Sequence, residues 1–417
     1  MFVYAFTREL TMNDSKEIEL LNTYLEKLVQ HNGSDLHIKS DALVRSRINE
    51  EIVTLSETPI EGELVEEIAR TLAGKNYINF IKEKEFDTIY VLDDHHRFRV
   101  NLFVHLHGLA LVFRLIPKVI KTFEALNLPS VIQKLCQLQR GLVLITGTTG
   151  SGKSTTLASV IEEINIHQGR HIITIEDPIE YVYTDKKCII EQRSIGHHTS
   201  SFSSALRSCM REDPDIIVVG ELRDIETAES VLQAVNTGQL VFTTLHTTDA
   251  RETIDRLIAI FPNKEQNRVR MTLASSIQAI VSQRLLKSLD NTLIPAVEIM
   301  FTSPRIEHLI RTQADADIPD VMAEEEISFG SITFNKALFT LVLNRQIDEE
   351  SAFNYATSAS DLKLLFTTSA EYHKMKKGNE TLEIHLKDED TQMKIEKERE
   401  NKELEKQEAL DKLKKDF

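Results

Sequence analysis

The sequence predicts an α/β fold: a mostly parallel sheet covered by helices on both faces, with a smaller α+β domain before it and a helical segment after it. Three observations carry this. A short apolar run, Gly141 to Thr146, leads through a glycine-rich loop into a helical pattern from Lys153 to Ile166. Strand-like and helix-like stretches then alternate to about residue 283. Ahead of all this, three strand-like runs stand close together with turn residues between them.

In chain order, Ile18, Leu21, Leu25 and Leu28 recur at helical spacing between Asn13 and His31, with Asn13, Asp14 and Ser15 as candidate caps. Ser34 to Ile38 alternates and reads as a strand, whose Asp35 and His37 read as edge-strand polar residues rather than ligands. A helix follows from about Pro59 to Ala73. Phe86–Leu92, Arg97–His105 and Leu109–Leu115 are the three strands, so residues 13–115 read as a small α+β domain with an antiparallel sheet. Residues 116–124, which include Pro117, form the expected linker.

The core is expected over residues 125–300. Its strands include His171–Ile175, Ile216–Val219 and Leu240–Thr244, and its helices cover roughly Phe202–Arg211, Glu226–Val235, Asp249–Ile260 and Lys264–Gln283. Residues 301–366 read as a helical subdomain with Phe334, Leu338, Leu341 and Val342 on one face. Residues 367–417 are a charged tail. From Glu371 onward it holds 14 acidic and 12 basic residues with few apolar ones, the composition of a solvated helix or a disordered segment.

The bulk numbers bound the function. With 417 residues and 41% hydrophobic content, the chain can bury two or three domain cores. A net charge of −16 argues against a broad nucleic-acid surface. No apolar run reaches 18 residues, and the first dozen residues lack the pattern of a signal peptide, so a cytoplasmic protein without direct membrane insertion is expected. Met1 and Met12 are both candidate starts. Cys136, Cys188 and Cys209 lie far apart and read as reduced thiols.

The chemistry starts at Gly147-Thr148-Thr149-Gly150-Ser151-Gly152-Lys153-Ser154-Thr155, which fits the phosphate-binding loop G-x-x-x-x-G-K-[ST] without a mismatch. Glycines let the backbone curl so that successive N–H groups face a phosphate chain. Lys153 brings charge to the β- and γ-phosphates of ATP, and the Ser154 hydroxyl can ligate Mg²⁺. Two further strands end in acids: Ile173 to Glu176-Asp177-Pro178, followed by Glu180, and Ile216 to Gly220-Glu221, which has the form of a Walker B segment. Phosphoryl transfer needs one group to orient or deprotonate water and one to hold Mg²⁺, directly or through water, and Glu176 and Glu221 supply both. His246 ends a third strand, where it could contact the γ-phosphate or position Glu221. Arg97 and Arg99 project to one face of their strand. With Arg114 they read as surface arginines, or as charges offered to a neighbouring nucleotide site.

TGTTGSGKST, HIITIEDPIEYV, REDPDIIVVGELRD, TTLHT, Phe261-Pro262 and Ser282-Gln283-Arg284-Leu285 together resemble the secretion-type traffic ATPases. Within these they are most similar to the type IV pilus retraction ATPases of the PilT/PilU type. SDLHI and RFRVNLF resemble the amino-terminal PAS-like domain of that family. The resemblance covers about residues 15–366.

It implies a RecA-like P-loop ATPase core, a homohexamer with ATP between subunits, and hydrolysis that drives pilin disassembly at the cytoplasmic face of the inner-membrane pilus platform protein, alone or beside a paralogous retraction ATPase. It further implies Glu176 as the acidic-box catalytic residue, Glu221 as the Walker B glutamate and His246 as the His-box residue. Arg99 and Arg114 would reach phosphates across an interface, supported by Arg97. Two stretches depart from the pattern. Gly238-Gln239 stands where the family has Gly-His, expected to alter a polar contact near the site, and Ile306 to Gln313 replaces a signature helix. Ser358 to Phe366 and the charged tail are more similar to PilU, whereas REDPD and ELRD are more similar to PilT. The alternatives are an ATP-binding regulatory subunit with little hydrolysis, or an assembly or secretion ATPase. Those last commonly carry paired CxxC sites, which this sequence lacks.

Overall fold

The computed structural model describes residues 15–376, apart from 49–50, 94–95 and 117–118. Asn13, Asp14, Pro117 and the tail beyond 376 lie outside the described residues. Among the described residues no helix is long and apolar enough to cross a membrane. By its contacts the chain divides into two compact units. The first takes in the described residues up to Leu126, then Ile132–Leu144 and Lys153–Leu245; the second takes in Asn127–Val131, Ile145–Gly152 and the described chain from His246.

The first unit opens with α1 (Lys16–Gln30), whose Ile18, Leu21, Leu25 and Leu28 are all buried, as their spacing dictates. There follow β1 (Asp35–Lys39), β2 (Arg45–Ile48), β3 (Glu51–Thr54), α2 (Gly62–Ala73), α3 (Tyr77–Glu83), β4 (Glu85–Val91), β5 (Arg97–His105) and β6 (Gly108–Ile116). These strands form one sheet in the order β3-β2-β1-β6-β5-β4, with antiparallel pairing throughout. Its apolar face carries Leu36, Ile38, Phe98, Val100, Leu102, Leu111 and Phe113, packed in one core with the buried residues of α1 and α2. The expected edge position of Asp35 and His37 is corrected here. Strand β1 pairs with both β2 and β6, so it is interior, and Asp35 is only 4% exposed.

The rest of the first unit alternates. Strand β7 (Gly141–Gly147), whose first residues belong here, is buried at every position, the mark of a strand covered on both faces. Next come α4 (Lys153–His167), β8 (His171–Glu176), β9 (Ile189–Ser194), α5 (Phe202–Cys209), β10 (Ile216–Val219), α6 (Ile225–Asn236) and β11 (Leu240–Leu245). Strands β8, β9, β10 and β11 pair in parallel.

In the second unit, α7 (Ala250–Ala259) and α8 (Asn263–Ser276) precede an antiparallel pair, β12 (Ile277–Lys287) and β13 (Leu293–Phe301). Within the first unit β11, β10, β8 and β9 lie side by side in that order, and within the second β12 lies beside β13. The expected helix Lys264–Gln283 is therefore half wrong: it ends at Ser276, and Ser282-Gln283-Arg284-Leu285 lies on a strand. Ala279 to Gln283 is buried on both faces of that strand, and such a run does not show helix from strand by its period. Helices α9 (Pro304–Thr312), α10 (Ile318–Glu324), α11 (Glu326–Phe329), α12 (Phe334–Leu343), α13 (Glu349–Tyr355) and α14 (Ala359–Thr368) follow. Phe334, Leu338, Leu341 and Val342 share one core with Leu362, Phe366 and Tyr372.

Candidate active site

The phosphate loop takes its shape from its glycines. Gly147 has φ +145°, and a Cβ built there would lie 2.4 Å from Ser151 Oγ and 2.5 Å from the Gln283 carbonyl oxygen, so only glycine fits. Gly150 and Gly152 also have positive φ. The turn is closed by the Ser151 N–H donating to the Thr148 carbonyl at 3.2 Å. Ser151 is buried, and its hydroxyl has no hydrogen-bond partner among the described residues. A buried hydroxyl without a partner, in a cradle that a side chain on Gly147 would fill, suits a polyoxyanion.

Helix α4 begins at Lys153, directly after the loop. Lys153 is buried. Burial pushes its ammonium below the ordinary lysine value, and the charges of Glu221 and Glu180 oppose that shift. Ser154 and Thr155 occupy the first turn, and the Thr155 hydroxyl shares a 2.8 Å hydrogen bond with the Tyr181 hydroxyl. The start of a helix favours negative charge, so Lys153 and the first N–H groups of α4 act in the same direction.

The two strand-end acids are brought together by strand register. Ile175 of β8 and Thr243 of β11 both pair with Val219 of β10. One residue on, the Gly220 N–H donates to the Ile175 carbonyl at 2.8 Å, and the Thr244 hydroxyl donates to the Gly220 carbonyl at 2.6 Å. A Cβ at Gly220 would stand 3.4 Å from Glu176 Cα, so glycine lets the two strand ends approach. Glu221 lies just beyond, held by Arg223 at 2.8 Å. Glu176 is the last residue of β8 and half-buried. Burial raises its carboxyl above the ordinary range and the charge of Glu180 adds to that, while hydrogen bonds from the Thr174 hydroxyl (2.6 Å), the Gln192 amide (3.3 Å) and the Glu180 N–H (3.4 Å) pull the other way.

His246 follows β11 and is exposed. The next residues are fixed on α7: the Thr247 and Thr253 hydroxyls pair at 2.7 Å, and the Thr248 N–H and hydroxyl both donate to Glu252 at 2.7 Å. Gln239 stands at the other end of β11. Its amide oxygen accepts from the Thr237 hydroxyl at 2.7 Å, and at about 3.3 Å per residue it is roughly 23 Å along the strand from His246. That corrects the expectation that the Gly238-Gln239 departure alters a contact near the site.

The arginines form their own group on the polar face of the N-terminal sheet. Arg99 and Arg114 are cross-strand partners, and Asp35 pairs with Arg114 in the neighbouring register. Like charges opposite one another destabilise a sheet unless they are answered. Arg114 Nε reaches Asp35 at 2.7 Å, and Arg99 Nε lies 3.7 Å from Asp87. Arg97 is exposed on the same face as Arg99, as the strand period requires.

Sequence reasoning passed over Thr174, Tyr181, Gln192 and Arg223. Thr174, Tyr181 and Arg223 lie inside quoted motifs, but Gln192 carries no signal of its own. Among the described residues no group of three or more His, Cys, Asp or Glu is placed to hold a metal ion. Mg²⁺ bound beside phosphates keeps several waters and needs only one or two protein ligands, so Ser154 and Glu221 suffice in kind.

Residues 11–412 match the family described as Type II/IV secretion system protein. The chain is 40% identical to the type IV pilus retractation ATPase PilT of Pseudomonas aeruginosa over 324 residues, covering 77% of this chain and 93% of that protein. The chain belongs to this family, in its PilT/PilU branch. The P. aeruginosa type IV pilus ATPase PilU is 34% identical over 349 residues, 83% of this chain and 91% of PilU. A crystal structure of the pilus retraction motor PilT with bound ADP superposes with a TM-score of 0.76 at 36% identity, covering 82% of this chain and 98% of that one. The RecA-like core, the N-terminal domain and the C-terminal helices are the fold of this branch. Membership of this family places the chain among the ATP hydrolases.

Proposed function

We infer that this chain is a motor that couples ATP hydrolysis to type IV pilus retraction, and hence to twitching motility. One observation carries the reading: an intact phosphate loop runs straight into a buried Lys153 whose charge is answered by Glu221 and Glu180, in a chain that aligns with 93% of PilT. The loop N–H groups, Lys153 and the Ser151 hydroxyl hold the phosphates. Bound Mg²⁺ would neutralise charge on the β- and γ-phosphates, with Ser154 as its direct ligand and Glu221 acting through water. Glu176, made more basic by its burial, takes the proton of the attacking water. His246 contacts the γ-phosphate or orients Glu221, and Arg99 and Arg114 stabilise charge on the nucleotide of an adjoining subunit, with Arg97 beside them.

In this reading residues 13–115 are a PAS-like arm, 116–124 a linker, 125–300 the ATPase core and 301–366 the C-terminal subdomain. The chain assembles as a homohexamer against the cytoplasmic face of the inner-membrane platform protein, as the main motor or beside a paralogue. Purified protein should hydrolyse ATP, and Lys153→Ala and Glu221→Ala should each abolish it; near wild-type turnover in both sinks the enzyme reading. Deletion of the gene distinguishes the two motor roles. Hyperpiliated cells that cannot twitch mark a main motor, and pili that still retract against low load mark an accessory one.

A further inference from the structure

We propose that Gln192 is a positioning residue that sets the geometry and basicity of Glu176; this rests on the reading of Glu176 as the base. Gln192 lies on β9 in register with Thr174 of β8, two residues before Glu176. Its amide is fully used. The nitrogen donates to the Tyr181 carbonyl at 2.7 Å and to Glu176 Oε1 at 3.3 Å, and the oxygen accepts from the Tyr183 N–H at 2.9 Å. These partners fix the amide orientation, because turning it over would set its oxygen against a carbonyl and a carboxylate and its NH₂ against an N–H.

One side chain thus pins both ends of the 176–183 segment. A third point is the Tyr181 hydroxyl on Thr155, in the first turn of α4. The groups facing Glu176 are the Thr174 hydroxyl, the Gln192 amide, the Glu180 N–H, the Glu180 carboxylate and the half-buried Tyr183 phenol. The first three stabilise the ionised form. Losing any of them raises the pH at which the base becomes available.

The test is ATP turnover of the full chain from pH 5.5 to 9 in wild type, Gln192→Glu, Thr174→Val and Thr174→Ser. Gln192→Glu keeps the acceptor for Tyr183 but loses both donors. We expect its kcat to fall about tenfold at pH 7 and its acid limb to move up by about one pH unit, with KM for ATP within about threefold of wild type. Thr174→Val should move the limb in the same direction, and Thr174→Ser, which keeps the hydroxyl, should not. A wild-type limb in Gln192→Glu, melting cooperatively, overturns the proposal. If Gln192→Glu does not fold, Gln192→Leu, which removes the donors without adding charge, carries the test with the same expected shift of the limb and the same refuting result. Glu176→Gln separates the two readings. If it turns over normally, the assignment of the base fails; if it is inactive while Gln192→Glu behaves as wild type, only the positioning role fails.

Discussion

Replacing Glu298 should change how stability depends on pH. This residue lies on β13 at 6% exposure and serves two helices at once: one carboxylate oxygen accepts from the Ala250 N–H at 2.9 Å, at the start of α7, and the other from the Phe334 N–H at 3.4 Å, at the start of α12. Burial pushes its carboxyl from 4.5 up to about 7, and Asp249 adds to the shift, while the two N–H groups and Arg284 oppose it. Between pH 4.5 and about 7 the folded chain therefore binds a proton that the unfolded chain has released, so this group makes stability fall as pH rises through that window. Each pH unit is worth about 1.4 kcal/mol. From pH 5.5 to 8.5 the loss from Glu298 is then about 2 kcal/mol. Glu298→Gln cannot ionise. It keeps one carbonyl acceptor and turns an NH₂ toward the other N–H, at a cost of about 1–3 kcal/mol that does not vary with pH. Denaturant unfolding at pH 5.5, 7 and 8.5, without nucleotide and at one protein concentration, should show Glu298→Gln less stable than wild type at pH 5.5. That gap should narrow by about 2 kcal/mol at pH 8.5. A gap constant across the range refutes the claim that Glu298 takes up a proton on folding.

Further outcomes follow from the same geometry. Gly147→Ala should weaken ATP binding by at least about tenfold, measured by fluorescent-nucleotide titration, because its Cβ meets the Gln283 backbone, which cannot turn aside as a side chain could. For Asp35, burial pushes the carboxyl up, but the Ser34 hydroxyl and Arg114 together outweigh it and hold the carboxyl below its ordinary value. Its stabilising effect is present above that ordinary value and is lost as pH falls through the lowered one; Asp35→Ala should cost about 1–2 kcal/mol by thermal melting at pH 7 and less in acid. Arg99→Ala and Arg114→Ala should lower kcat while leaving ATP affinity largely intact, and loss confined to affinity argues against a role in stabilising the transition state.

What the sequence made legible was local. The phosphate loop declares itself because each glycine answers a requirement of its own backbone, as Gly147 does against Ser151 and Gln283. The amphipathic helix over Lys16–Gln30 was readable because period and burial coincide within one segment, and Ile216–Val219 because it is a short, wholly apolar run that ends at a glycine. Strands β2 and β3 were not, because Arg45–Ile48 and Glu51–Thr54 hold four residues each and carry no clear alternation. Strand β12 was misread because both of its faces are buried, which removes the period that tells a strand from a helix.

The half-buried polar residues escaped for a different reason. Nothing in the neighbours of Gln192 shows that its amide will meet Glu176, Tyr181 and Tyr183, because that depends on the parallel pairing of β9 with β8. Arg284 is the same kind of case: its guanidinium stacks 3.9 Å over the Phe334 ring and donates to the Tyr355 carbonyl, so it ties β12 to the C-terminal helices. The SQRL motif that contains it was legible as a family mark, yet its physical meaning required knowing that Ser282 faces Glu298 across an antiparallel pair. In both places a half-buried polar side chain stands where two distant segments must be held in one register, and an unmet hydrogen bond there costs more than a lost apolar contact at the surface. Such residues fix the geometry between segments, which is why they are recognised by pairing in space and not by spacing in the chain.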